Sequence, residues 1–137
     1  MPQLTNSKVV LVVEDEPIIR FDTACTLEAA GFKVVEAEDA SEALEQIRHN
    51  PDIGLVITDI NMPGPMNGLA LAAHVRELRP RIRVVIASGQ GMLVKEVAAL
   101  GLPFLHKPVH TAELMQTAMR ELRKIIDGDH GQSPLQA

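Results

Sequence analysis

The chain has 137 residues, the length of one domain, and at that size it buries enough of its own surface to need no disulfide or structural metal. Hydrophobic residues make up 46%, which excludes disorder over most of the chain; aromatics are 2%, all Phe, so the core must be aliphatic. A net charge of −5 repels phosphate backbones, and the lack of aromatic stacking platforms counts further against binding DNA or RNA.

Cys25 is the sole cysteine, so no internal disulfide can form, which fits a reducing cytoplasm. The first residues lack the basic and apolar regions of a signal peptide, and no apolar run is long enough to cross a bilayer. These features predict a cytoplasmic protein without a membrane partner.

Two kinds of segment alternate along the chain. Lys8 to Val13 is a β-branched apolar run and reads as a strand buried on both faces. Pro17 to Ala30 reads as a helix, with Pro in its first turn and Gly31 at its end. Its inward stripe combines Ile19, Thr23, Thr26, Leu27 and Ala30. Lys33 to Ala37 is a second strand, and Ala40 to His49 a helix with Ala43, Leu44 and Ile47 inward, stopped by Asn50-Pro51. Ile53 to Thr58 is a third buried strand. A loop rich in Pro and Gly precedes a helix from about Gly68 to Leu78, ended by Pro80.

Ile82 to Ala87 gives a fourth strand, Leu93 to Leu100 a short helix, and Leu102 to His106 a fifth strand. Ala112 to Ile126 gives a final helix with Met115, Met119, Leu122 and Ile126 on one side, and Arg120, Arg123 and Lys124 near its end, where cations suit the helix dipole. The domain therefore runs over 8–126, after an N-terminal extension of residues 1–7. Residues 127–137 are polar, contain Gly and Pro, and are expected to form a disordered tail.

Five strands alternating with five helices predict a doubly wound parallel sheet covered on both faces. Ligands of such sheets bind at the carboxyl ends of the strands, beside a topological switch point. Strand one ends in Glu14-Asp15-Glu16, strand three in Asp59, strand four in Ser88-Gly89 and strand five in Lys107-Pro108. Taken singly, each is an ordinary turn or solvated loop. On one rim they combine at least three carboxylates, a hydroxyl and an ammonium.

Glu14, Asp15 and Asp59 cannot all stay ionised at close range without compensation. Mg2+ supplies it, because it takes one or two carboxylates and shares phosphate oxygens. Lys107 adds a second positive charge. The cluster suits an incoming phosphoryl group, with Asp59 as the nucleophile forming an acyl phosphate and Ser88 as a hydrogen-bond donor.

Residues 12–17 (Val-Val-Glu-Asp-Glu-Pro), 58–63 (Thr-Asp-Ile-Asn-Met-Pro), 87–89 (Ala-Ser-Gly) and 107–108 (Lys-Pro) together resemble the response regulator receiver domain family, over residues 8–126. The resemblance implies a flavodoxin-like sheet of strand order 2-1-3-4-5. It implies that Asp59 is the phosphoacceptor, phosphorylated with Mg2+ by a histidine kinase or histidine phosphotransfer protein. It makes Asp15 a direct Mg2+ ligand, Glu14 a ligand through water, and Asn61 a ligand through its backbone carbonyl. Ser88 becomes the switch hydroxyl, Lys107 the partner of the phosphoryl group, and Phe104 the aromatic that changes rotamer on activation. Lys107-Pro108 is a candidate cis bond.

The loop Met62 to Gly68 is one residue longer than the family's common form, with Asn67 where Asp is usual. The stretch from Ser88 to Lys107 is shorter than usual, so the fourth helix is expected to be short or displaced. The loop and the Ser-Gly pair look more like stand-alone or hybrid-kinase receivers than DNA-binding regulators.

The expectation is a phosphoacceptor switch without a DNA-binding output domain, not an enzyme, acting on a downstream partner protein. Its exposed helix faces are compatible with a homodimer. Two alternatives are a constitutive interaction module that has lost phosphorylation, and an aspartate-nucleophile phosphatase. The second is disfavoured because Asn61 stands where a general acid is needed. The five histidines are scattered, without metal-ligand spacing, and Cys25 reads as a small helix residue.

Overall fold

Short β-branched runs bounded by turn residues align into one sheet, because residues apolar on both faces of a strand must be covered from both sides. The computed structural model describes residues 9–89 and 94–131. Its elements are β1 (Val9–Val13), α1 (Pro17–Ala29), β2 (Lys33–Ala37), α2 (Ala40–His49), β3 (Ile53–Thr58), α3 (Gly68–Leu78), β4 (Arg83–Ser88), α4 (Val94–Ala99), β5 (Phe104–His106) and α5 (Thr111–Gly131). All neighbouring strands pair in parallel, in the order β2-β1-β3-β4-β5. The sheet and its order are those expected.

Alternation along each buried strand divides the core in two. Leu11, Val13, Val56 and Ile86 face Ala43, Leu44 and Ile47 of α2 and Leu71 and Val75 of α3. Val10, Val12, Ile57 and Val85 face Leu27 of α1 and Leu114, Ala118 and Leu122 of α5. Chain order reverses between β1 and β3, so the rim beyond Val13 and Thr58 is the switch point.

Several expectations need correction. In α1, Ala24 and Leu27 are the buried residues, Thr23 and Thr26 are half-buried, and Ile19 and Ala30 are exposed rather than inward. In α5 the inward stripe is Leu114, Thr117, Ala118, Glu121, Leu122 and Ile125, while Met119 is 42% exposed. The apolar periodicity misassigned this face because it contains a carboxylate. Glu121 is fully buried, and its charge is met by Arg83 Nε at 3.0 Å and Lys124 Nζ at 3.1 Å. Arg120 and Lys124 therefore serve a buried carboxylate and not a helix terminus.

The helix also continues to Gly131, so residues 127–131 are helical and not part of a disordered tail. An isolated Gly128 within a helix costs only about 1 kcal/mol relative to Ala, too little to end it. β4 sits one residue later than expected, and β5 starts at Phe104 rather than Leu102. Residues 1–7, Lys8, Leu93 and 132–137, and with them the expected extension and the rest of the tail, lie outside the described residues. No helix among the described residues is long and apolar enough to cross a membrane.

The loop after β3 closes by a hydrogen bond from Gly68 N to Ile60 O (2.8 Å), and Asn67 caps α3 by accepting from Ala70 N (2.9 Å). Asn in place of Asp therefore keeps the cap. A Cβ on Gly68 would stand 2.1 Å from the carbonyl oxygen of Asp59 and 2.9 Å from Ile60 Cα. Both are backbone atoms and cannot swing aside. Gly68→Ala is therefore expected to destabilise the fold by roughly 1–3 kcal/mol, read from urea unfolding by circular dichroism. Gly89→Ala, with no atom within 4 Å of the new Cβ, should leave the midpoint nearly unchanged.

Candidate phosphoryl-transfer site

Pairing fixes the rim. Glu14 N donates to Ala37 O (3.0 Å) and Asp59 N to Val13 O (3.1 Å), so both acidic loops leave the sheet in register with their neighbours. Oxygens of Glu14, Asp15 and Asp59 lie within 4.8 Å of one another. Glu14 is buried, Asp15 exposed and Asp59 half-buried.

Lys107 arrives from the end of β5, where its N–H donates to Ser88 O (3.1 Å) and its peptide bond to Pro108 is cis. Its Nζ donates to Asp59 Oδ2 at 3.0 Å and makes a close ion pair with Glu14 Oε1. Burial alone would lower the Lys107 pKa, but its hydrogen bonds to Glu14 and Asp59 outweigh that and raise it. Burial raises the Glu14 pKa, against the opposing pull of Lys107 and of the Glu16 N–H. Lys107 thus stays an ammonium, and it is one positive charge among three carboxylates. The remainder is about that of one divalent cation, and an all-oxygen donor set suits a hard one. The residues present fit Mg2+.

Ser88, the last residue of β4, is buried and pairs in register with His106. Phe104 is half-buried against the α2–α3 side of the core, and its ring meets that of His106 edge-on at 4.8 Å. Asn61 is exposed, and its N–H lies 3.4 Å from Asp59 Oδ1. The site residues expected from the sequence thus converge on the strand-end rim, with Phe104 at the start of β5 and set back from it. Among the described residues, α4 spans six residues, Val94–Ala99.

Other residues support the rim without having been singled out in the sequence. Arg20 of α1 donates through Nη1 to Glu14 O (2.8 Å) and through Nε to Glu36 Oε1 (3.1 Å), tying the acidic loop to β2. Thr58 Oγ1 donates to Asp59 O (2.9 Å) and is 3.8 Å from Met62 Sδ. Gly68 allows the close approach to Asp59 described above. Of these, Thr58 stands in the 58–63 motif and Gly68 at the start of the expected helix, whereas Arg20 left no signal in the sequence.

Comparison with known proteins agrees with this geometry. The model of the response regulator receiver domain matches residues 10–119. The chain is 35% identical over 121 residues to the aerobic respiration control protein ArcA of Escherichia coli, covering 86% of this chain and 50% of that one. It is 32% identical over 128 residues to the sensor kinase CckA of Brucella abortus, covering 88% of this chain and 13% of that one. The chain thus spans half or less of these curated relatives. Among solved structures, a receiver domain protein from Methanospirillum hungatei matches with a TM-score of 0.81 at 28% identity, over 88% of this chain and 98% of that one. A response regulator from Thermotoga maritima, in complex with Mg2+ and BeF, matches with a TM-score of 0.76 at 27% identity, over 83% of this chain and 98% of that one. With its fold, its strand-end acids and these matches in agreement, the chain belongs to the response regulator receiver domain family.

Proposed function

We propose that this chain is a phosphoacceptor switch in which Asp59 takes a phosphoryl group from the phosphohistidine of a histidine kinase or histidine phosphotransfer protein. The observation that carries this reading is the convergence of Glu14, Asp15 and Asp59 within 4.8 Å, with Lys107 Nζ bonded to Glu14 and Asp59. An Asp59 carboxylate oxygen bonds to phosphorus as the bond from phosphorus to the donor nitrogen breaks, so the aspartate supplies the electron pair and the imidazole leaves with its own. Asp15 and Asp59, with the Asn61 carbonyl and Glu14 through water, would hold Mg2+. Bound there, the metal neutralises charge on the transferring oxygens.

Lys107 keeps its ammonium at the acid, where it can pass from a carboxylate to a phosphoryl oxygen without crossing the site. Ser88 lies one strand over on the same rim, where its hydroxyl can donate to the phosphoryl group once attached. The added charge then biases the rim between two arrangements, and the Phe104–His106 pair on β5 is the element through which contacts with a partner protein change. The 32% identity to a segment of a sensor kinase supports a place in a phosphorelay. We place the protein in the cytoplasm, where such donors act.

Incubation with acetyl phosphate and Mg2+, followed by intact mass measurement, tests the reading. Wild type should gain the mass of one phosphoryl group, and Asp59→Asn should gain none. No addition in wild type would favour a constitutive interaction module. A second outcome concerns lifetime. Among the described residues a Cβ at Gly89 meets nothing within 4 Å, which supports access of water to an acyl phosphate beside Ser88. Gly89→Met should slow loss of the phosphoryl group; decay clearly slower in wild type than in the variant would contradict this account.

A further inference from the structure

A cavity of about 530 Å3 lies between α1 and α5, beside the acid cluster. It has a local cause. α1 buries only Ala24 and Leu27, and the half-buried threonines next to them do not fill the gap to the sheet. β4 contributes the small Ala87. The floor is hydrocarbon from Val12, Ile57 and Ala87, and Leu114 closes the α5 side. Thr23 and Thr26 line the α1 wall. The volume falls within the range of roughly 300–1,000 Å3 of small-molecule sites, and the lining sets an apolar floor beside four threonines and four charged side chains.

The charges of the lining decide what kind of molecule fits. Glu14, Asp22 and Asp59 stand against Lys107, three negative charges to one positive. A divalent cation at the acid cluster would satisfy Glu14 and Asp59. It would not reach a balance with Asp22, which lies two turns into α1 and has no ion-pair partner among the described residues. An anionic head would be repelled at this mouth, and a neutral one could offer Asp22 a hydrogen bond but no opposite charge. We propose that the cavity is a binding site for a small amphipathic amine, with its hydrocarbon body on Val12, Ile57, Ala87 and Leu114 and its ammonium beside Asp22. This goes beyond the phosphoacceptor reading and does not depend on it. A ligand so placed would share the rim with Asp59 and so stand where a phosphodonor must approach.

Amide NMR of the full chain, titrated separately with hexylamine, hexanol and hexanoate, tests the site without any phosphorylation. Saturable shifts should cluster at Thr23, Thr26, Ile57 and Leu114. Hexylamine should bind about fivefold more tightly than hexanol, and by a larger factor than hexanoate. Asp22→Asn, a surface change, should erase the preference for the amine while keeping hydrocarbon binding. Thr26→Leu, which fills the cavity, should weaken all the probes. Equal affinity for the three probes, no saturation in the millimolar range, or a preference for the amine that survives Asp22→Asn would each overturn the proposal. Should Thr26→Leu fail to fold, the Asp22→Asn comparison decides alone.

Discussion

Three carboxylates held within 4.8 Å of one another, with one ammonium among them, set the terms for the rest of this structure. Left to itself the cluster resists compaction, because like charges in a partly buried site repel more strongly than in water. The sheet imposes it regardless. Glu14 and Asp59 are fixed by backbone pairing to neighbouring strands, and Arg20 holds the carbonyl of Glu14 from the outside. The hydrophobic core on both faces of β1 and β3 supplies the stability that keeps the charges together. The fold thus holds in place a cluster whose excess negative charge one divalent cation would offset.

The alternating segments made the sheet legible in the sequence, since strands such as Val9–Val13 and Ile53–Thr58 are apolar without interruption and could only be central. The site followed, because in a doubly wound fold the residues just past such strands must share a rim. What the sequence hid was polar chemistry in apolar places. α5 turns Glu121 inward because Arg83, from a different element, is there to meet it, and no periodicity of one helix contains that fact. The same holds for Arg20, whose partners Glu14 and Glu36 come from two other elements.

α1 shows the opposite limit. Of the inward stripe expected from the sequence, Leu27 is buried and Thr23 and Thr26 are half-buried, but Ile19 and Ala30 are exposed, and the large apolar Ile18 and Phe21 are 82% and 65% exposed. A helix that covers its sheet loosely beside a charged rim is a poor core element and a good wall for a cavity. Function and packing compete there, and packing gives way next to the acid cluster.

Urea unfolding with and without Mg2+ is the direct test of a cation site at the acid cluster. Ligand that binds only the folded chain stabilises it by mass action, so the midpoint of wild type should rise as Mg2+ is added, and that of Asp59→Asn should rise far less. Equal responses in the two proteins, or none in either at millimolar Mg2+, would contradict the claim that Glu14, Asp15 and Asp59 are assembled to hold a divalent cation.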